Sequence, residues 1–248
     1  MRETLDTLIQ RVDEDRWLAA RFSPAHVRER LLAIYAVNYE IARTAETVRE
    51  GRLGAIRLQW WREALAEIAE GAPPRAHPAL AALRRTTNSR TAADLQDIVN
   101  ARAADFESQP FAAWCDVDRY LDGTAGVLLR VSAEQTEAQP APSPAFLRAA
   151  GRAWGYTGLL RAAAFWRARG RSALPQAGGD FAEMREKAWA FYEEARRFAR
   201  VLPQEVFPAI GYVALVPSYL KAIERGGIER PWLFRQLRLI AASASGKI

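Results

Sequence analysis

Apolar residues recur at three- and four-residue spacing along almost the whole 248-residue chain. No alternating run of Val, Ile and Thr bounded by turn residues interrupts the pattern. A spacing of three to four residues puts side chains on one face of a helix, whereas a half-buried strand needs a spacing of two. The sequence therefore predicts an all-α fold, and its length and apolar content predict a single domain over residues 1–248.

Prolines and glycines divide this pattern into helices. We predict them over about residues 4–22, 24–49, 55–70, 78–86, 91–108, 116–135, 144–169, 180–202, 206–226 and 231–242. Gly123 and Gly126 lie inside one predicted helix, where each costs about 1 kcal/mol relative to Ala, so a kink or a close backbone approach is expected there. The segment TEAQPAPSP, residues 136–144, is the clearest predicted loop.

The charged residues favour some partners and compartments over others. There are 35 basic and 29 acidic residues, a net charge of +6, and all basic residues except three lysines are arginines. The arginines are scattered among acids without a basic run or a known module, so no nucleic-acid partner is predicted. Cys115 is the only cysteine, and the N-terminal residues include acids. With no run near about 18 apolar residues, we expect a cytoplasmic protein, with at most a peripheral contact at the inner face of the membrane.

Two segments carry aromatic, polar and basic side chains at helical spacing. The first segment, IYAVNYEIARTAETVREGRLGAIRLQWWREAL, places four residues along one helix face: Tyr35, Tyr39, Arg43 and Glu46. The second segment, AGRAWGYTGLLRAAAFWRARGRSALP, contributes Tyr156, Thr157, Arg161, Arg169 and Arg171. Such stripes suggest a cavity for an anion joined to an apolar tail. They are equally compatible with core helices whose tyrosines form hydrogen bonds at the edge of the core.

Both segments resemble the squalene/phytoene synthase family of head-to-head prenyl diphosphate synthases. AIYAVNYEIA resembles the stretch before the family's first aspartate-rich motif, and GAIRLQWWREAL resembles the following helix. YLDGTAGVLL, with Tyr120, resembles its Tyr-x-x-x-Ala-Gly helix, and RGRSALP resembles the exit of its second aspartate-rich motif. The resemblance implies an isoprenoid-synthase-like helical bundle around a central cavity. It implies ligand contacts from the nine residues of the two stripes and from Tyr120.

The aspartates that hold Mg²⁺ in this family are mostly missing. The family's Asp-Asp-x-x-Asp falls on Ala42, Arg43 and Glu46, and its Asp-x-x-Glu-Asp falls on Ala162, Phe165 and Trp166. Magnesium needs oxygen ligands, and an arginine beside it adds repulsion, so neither a metal nor another cofactor is expected. Phe165 and Trp166 either narrow the cavity or fill it.

With most of these aspartates missing, the sequence resembles a branch of the family that includes mitochondrial complex I assembly factor 6 and its bacterial relatives. The resemblance implies a non-catalytic protein that binds an isoprenoid diphosphate or another lipid, or that contacts partners in respiratory complex I assembly. One alternative is an active head-to-head prenyl transferase that uses Mg²⁺ and Glu46. Another alternative is a peripheral membrane module with Trp60 or Trp61 at its rim.

The remaining candidates for metal binding or catalysis have structural explanations. Asp118 and Asp122 lie four residues apart on one helix, and we expect them to be solvated rather than to form a displaced metal site. His26 and His77 are the only histidines, and neither has a carboxylate or cysteine partner at ligand spacing. We expect both on the surface, with no zinc site and no histidine catalysis.

Overall fold

The computed structural model describes residues 3–48, 50–199, 202–227, 230–246 and 248. Within these ranges the chain is helical without any strand, which confirms the all-α prediction. The α-helices are α1 (Leu5–Val12), α2 (Glu14–Ala20), α3 (Ala25–Ala42), α4 (Thr44–Thr47), α5 (Gly51–Ala69), α6 (Pro78–Thr86), α7 (Ser89–Ala101), α8 (Trp114–Leu121), α9 (Val127–Glu134), α10 (Pro144–Arg167), α11 (Phe181–Ala199), α12 (Phe207–Ile210), α13 (Val216–Glu224) and α14 (Trp232–Ser245).

The single helix predicted over residues 4–22 is wrong, because the chain breaks it at Asp13. Thr4 caps α1 by accepting a hydrogen bond from the Thr7 amide, and α1 ends at Val12. Asp13 adopts φ −147° and ψ 58°, outside the helical region, and its carboxylate binds Arg16 at 2.6 Å. An acidic side chain that bonds locally in this way competes with helical geometry.

The helix predicted over 24–49 is also too long, since α3 ends at Ala42. Thr44 donates its hydroxyl to the carbonyl of Glu40, and Thr47 donates to the carbonyl of Arg43. These local bonds accompany the short helix α4, after which Val48 is extended. Arg49, the predicted end of the helix, lies outside the described residues.

The glycine-rich helix predicted over 116–135 has one of the two features expected as alternatives, a close backbone approach. Between α8 and α9 the residues Asp122–Gly126 form one π-helical turn. A Cβ atom built on Gly151 of α10 would lie only 2.7 Å from Cα of Gly126. The two glycines therefore allow the backbones of α10 and the π turn to touch, and the prediction of a close backbone approach is confirmed.

The helix predicted over 206–226 is interrupted. A 3-10 turn, Gly211–Leu215, separates α12 from α13, and each of these helices has a proline in its first turn. The run Gln204–Glu224 is long and apolar enough to cross a membrane by length and composition, which corrects the prediction that no such run exists. However, 83 % of its most apolar window is buried inside the protein, as in a core helix.

The hydrophobic core is built around α10. This helix packs along α11 and against the π turn and α13. Four tyrosines from three parts of the chain are among the largest fully buried side chains: Tyr35, Tyr156, Tyr212 and Tyr219. Helices on all sides contribute to one hydrophobic cluster. The single-domain assignment stays a prediction.

Candidate functional site

A cavity of about 520 Å³ lies between α3 and α10. The junction of α1 and α2 forms one further wall, and residues of α13 and α14 form another. Its lining residues are Arg11, Val12, Asp13, Glu14, Asp15, Arg16, Asn38, Tyr39, Ala42, Trp154, Gly158, Arg161, Tyr219, Arg230 and Arg235. Five arginines against three acids leave the described lining positive by two charges. A cavity of this size suits one small ligand.

The acids of the cavity already have cationic partners. Asp13 binds Arg16 at 2.6 Å, and Glu14 binds Arg235. Asp15 accepts hydrogen bonds from Arg235 at 2.7 Å and from the hydroxyl of Tyr219 at 2.6 Å. Since each carboxylate is engaged, the acids position the arginines rather than offer free ligands.

Burial and charge shift the protonation of this cluster. Burial and the nearby Asp15 charge raise the pKa of Tyr219, so its hydroxyl stays protonated and donates to Asp15. Burial lowers the pKa of Arg235, but the hydrogen bonds and charges of Asp15, Tyr219 and Glu14 together raise it more, so the net shift is upward. The guanidinium is therefore a permanent cation in the cavity wall.

Arg16 is a buried cation surrounded by aromatic rings. Its guanidinium carbon lies 4.8 Å from the ring centroid of Tyr212, 5.7 Å from Trp154 and 5.8 Å from Tyr35. Burial lowers its pKa, but the charge of Asp13 and the interactions with Tyr212 and Tyr35 together outweigh burial, so the pKa of Arg16 is raised. The Nε atom of Arg16 has no hydrogen-bond partner among the described residues.

Two of the residues predicted as ligand contacts line the cavity. Tyr39 lies on α3, and Arg161 faces it from α10. The guanidinium of Arg161 stacks 4.0 Å from the ring centroid of Tyr219 and lies 3.6 Å from Asp15. Tyr35 sits beneath the cavity against Arg16, fully buried, with a hydroxyl that lacks a partner in the described structure.

The other predicted contacts of α3 and α4 do not line this cavity. Because α3 ends at Ala42, Arg43 turns back over the ring of Tyr39, 5.3 Å from its centroid, and binds Glu40 at 3.2 Å. Glu46 is exposed on α4. The single helix face predicted to carry all four residues therefore does not form.

Tyr156 and Thr157 of α10 are not among the residues that line the cavity. The hydroxyl of Tyr156 donates to Asp118 at 2.7 Å, and burial raises its pKa. Thr157 is fully buried and donates to the carbonyl of Ala153. The expectation that Asp118 and Asp122 are simply solvated is wrong. Both are half-buried and bind Arg152 of α10, at 3.1 and 2.6 Å.

Tyr120 and Arg171 line a second, narrow cavity of about 30 Å³ that also contains Trp166. Tyr120 donates to Asp105 at 2.6 Å and accepts from Arg102 at 2.8 Å. Arg169 lies outside it, with its guanidinium 3.6 Å from the ring centroid of Phe165. Neither Phe165 nor Trp166 lines the 520 Å³ cavity, so these two aromatics do not fill it.

The sequence pattern missed the acidic junction and the C-terminal arginines. Asp13, Glu14 and Asp15 fall in a run predicted as ordinary helix, and Arg230 and Arg235 lie about 220 residues away along the chain. Three consecutive acids followed by an arginine were the available signal. Their partners follow only from the three-dimensional arrangement.

The tryptophans and histidines refine two further expectations. Trp61 is buried and Trp60 is half-buried, with ring centroids 5.0 Å apart, as expected for adjacent helical residues. His77 corrects the surface prediction: it packs against Trp61, and its Nδ1 accepts from the Ala79 amide at 3.2 Å to cap α6. Its Nε2 lies 3.9 Å from Glu40, a carboxylate the sequence spacing did not reveal. His26 is exposed, as predicted.

Comparisons of the sequence and the structure with known proteins identify the family of this chain. Residues 9–178 match the squalene/phytoene synthase family, which is more than half of the chain. The chain belongs to the squalene/phytoene synthase family. Two solved structures share the fold: a dehydrosqualene synthase in complex with ligand (TM-score 0.77, 17 % identity, 97 % of this chain and 94 % of that chain) and squalene synthase HpnC from Alicyclobacillus acidocaldarius (TM-score 0.71, 19 % identity, 90 % and 92 %).

Mammalian relatives carry a different description. The mouse protein named NADH dehydrogenase (ubiquinone) complex I, assembly factor 6 is 23 % identical over 240 residues, covering 88 % of this chain and 72 % of its own length. The human protein of the same name is 23 % identical over 242 residues with the same coverage. The resemblance to this branch is confirmed at the level of sequence similarity.

The residues at the family's motif positions do not fit magnesium. At the first motif, Ala42 has no ligand atom, Arg43 is paired with Glu40, and Glu46 is exposed. At the second motif, Ala162, Phe165 and Trp166 have no oxygen ligands, and their neighbour Arg161 lines the cavity. In the part of the chain that the structure describes, no group of three or more His, Cys, Asp or Glu is arranged to hold a metal ion. The cavity instead presents guanidinium groups, which bind phosphate directly through paired N–H donors.

Proposed function

We propose that this squalene/phytoene synthase family member is a non-catalytic protein of respiratory complex I assembly. Its cavity binds an isoprenoid diphosphate or a related anionic lipid without metal, and the protein works on the cytoplasmic side of the membrane. One observation carries the proposal. On the two helices where the family resemblance puts the metal-binding aspartates, the cavity wall presents Ala42 and Arg161.

The charges of the cavity support an anionic ligand. Every carboxylate in the described lining is engaged by an arginine, and the lining remains positive. The Nε atoms of Arg230 and Arg235 are buried without a hydrogen-bond partner in the described ranges. A diphosphate supplies the acceptors that such donors lack. Ionising a prenyl diphosphate needs the charge neutralisation that Mg²⁺ provides, so this set favours binding over turnover.

Support for a role in complex I assembly comes from the mammalian relatives, whose names assign that role to them. Deletion of the gene in its host, followed by native gels stained for NADH dehydrogenase activity, tests this part. We expect less assembled complex I and rescue by the wild-type gene. Normal assembly in the deletion strain would contradict it.

The cavity ligand is tested separately with the purified protein. Calorimetry and native mass spectrometry use farnesyl and geranylgeranyl diphosphate, each with Mg²⁺ and again with a chelator, while diphosphate release is assayed. We expect equal binding in both conditions and no release.

Two results would overturn this part of the proposal. Release that requires Mg²⁺ and disappears in Glu46→Ala would identify an active head-to-head prenyl transferase. Failure of both diphosphates to bind would refute the isoprenoid ligand and leave only the proposed protein partners.

A further inference from the structure

Helix α14 turns a face of large apolar side chains toward the solvent. Leu233, Leu237 and Ile240 follow one another along this face and are 47–59 % exposed, and Trp232 and Phe234 flank its beginning at 44 % and 40 %. The opposite face is buried through Leu239 and Ala242. Single exposed apolar residues are common on protein surfaces, whereas a contiguous face of five large ones marks a contact surface.

The exposed charge on α14 is basic, because Arg238 lies at the surface whereas Arg235 is paired with Asp15 and Glu14 of α2. Residues 230–246 contain three arginines and no acidic residue. Arg238 is exposed at the edge of the face, and its Nε donates to the carbonyl of Ala214. Across a groove bordered by Ile240, α2 and the turn after it add the exposed Arg21 and Phe22. A helix with apolar residues on one face and arginines along its border is typical of binding to anionic lipid surfaces.

We propose that the α14 face, defined as Trp232, Leu233, Phe234, Leu237 and Ile240, docks on the surface of an anionic phospholipid bilayer. With 14 residues, α14 is about 21 Å long, too short to span the hydrocarbon core, so it lies in the interface with its axis along the membrane plane. This inference goes beyond the proposed function, because it rests on the outer surface and needs no ligand in the cavity.

The structure favours this face over the Trp60–Trp61 pair as the membrane contact. Trp61 is buried against His77, and Arg75 covers the ring of Trp60 at 5.4 Å from its centroid. Charge also favours a bilayer over a second copy of the chain. In a two-fold dimer the same basic face would meet itself, and its arginines would repel one another.

The α14 face also adjoins the arginine-lined cavity. Arg230, just before α14, and Arg235, within α14, both line the cavity. A protein docked through α14 therefore holds this wall of the cavity near the lipid headgroups, the level at which an anionic lipid presents its phosphate.

Vesicle flotation of the full-length protein tests the proposal. The probes are vesicles of phosphatidylcholine alone and vesicles with about one-third phosphatidylglycerol. We expect binding to the anionic vesicles that weakens with added salt. Leu237→Ser/Ile240→Ser should lower the partition coefficient at least about tenfold, because two large side chains no longer enter the interface.

The matched control is Leu53→Ser/Ile56→Ser, which removes an equally exposed apolar pair from α5 and should leave vesicle binding unchanged. Circular dichroism confirms that both variants fold. Equal partitioning of the two variants, or no vesicle binding by the wild type, would overturn the proposal. The proposal would also be overturned if native mass spectrometry showed a dimer for the wild type and the α5 control variant but a monomer for the α14 variant. A second copy of the chain would then cover the α14 face. Cavity binding of farnesyl diphosphate is assayed in the same samples, so a failure of either proposal is seen separately.

Discussion

The hydroxyl of Tyr219 donates a 2.6 Å hydrogen bond to the buried carboxylate of Asp15, 204 residues earlier in the chain. Arg235 donates to the other oxygen of the same carboxylate at 2.7 Å. This one side chain therefore joins the break between α1 and α2 to α13 and α14. Asp15 therefore connects N-terminal and C-terminal helices and positions Tyr219 and Arg235 in the cavity wall.

Asp15→Ala should destabilise the protein by about 1–3 kcal/mol, because it leaves the buried hydroxyl of Tyr219 without its acceptor and leaves Arg235 paired with Glu14 alone among the described contacts. Urea unfolding measures this loss. The control is Asp97→Ala on α7, an exposed aspartate, whose effect should stay within about 0.5 kcal/mol. Equal losses in the two variants would show that the Asp15 cluster adds nothing to stability.

The fold is readable from the sequence because it depends on local periodicity, but the cavity is not. Apolar spacing places α5, α6 and α10 within a few residues of their observed bounds. The wall of the cavity instead depends on Asp13 leaving helical geometry and on Arg235 reaching back to Asp15. Neither feature has a signature in spacing, since one is a single-residue break and the other a contact across about 220 residues.

Two glycines of α10 should respond to alanine in opposite directions. At Gly151 the added Cβ would lie 2.7 Å from the Gly126 backbone, which cannot move aside without shifting the π turn, so we expect a loss of about 1–3 kcal/mol. At Gly158 the Cβ meets nothing within 4 Å, and alanine should stabilise the helix by up to about 1 kcal/mol. Thermal unfolding of both variants measures the difference. Loss of stability in both would indicate that glycine is needed in α10 for another reason.

His77 should make the stability of the protein depend on pH. Burial lowers its pKa below the ordinary value of 6.5. The charge of Glu40 raises this pKa in part, and the charges of Arg57 and Arg43 lower it further. The unfolded chain then binds a proton that the folded protein does not, so the free energy of unfolding decreases as pH falls below about 6.5. His77→Asn removes the titration and keeps a side chain that caps α6. Urea unfolding between about pH 5 and 7.5 measures the slope.

The exposed His26 supplies the control for this pH dependence. His26→Asn is the matched exchange, because it also replaces a histidine by asparagine but at a surface position without the neighbours of His77. An identical slope in the wild type and in His77→Asn would place the titrating group elsewhere.

Variants of Arg161 and Arg169 test whether the diphosphate binds in the cavity or near the C-terminal end of α10. Arg161 lines the cavity and stacks on Tyr219, whereas Arg169 lies outside it on the ring of Phe165. Charge-assisted hydrogen bonds to phosphate contribute about 1.5–3 kcal/mol each, so Arg161→Gln should weaken farnesyl diphosphate binding about 10- to 100-fold.

Calorimetry with a chelator present measures this effect, and Arg169→Gln serves as the matched exchange. Arg169→Gln should bind as the wild type does, because its guanidinium does not reach the cavity. If Arg169→Gln loses affinity and Arg161→Gln does not, the diphosphate binds near the exit of α10 and not in the 520 Å³ cavity. Urea unfolding of Arg161→Gln separates lost contact with the ligand from lost stacking on Tyr219, because only the second lowers the stability of the free protein.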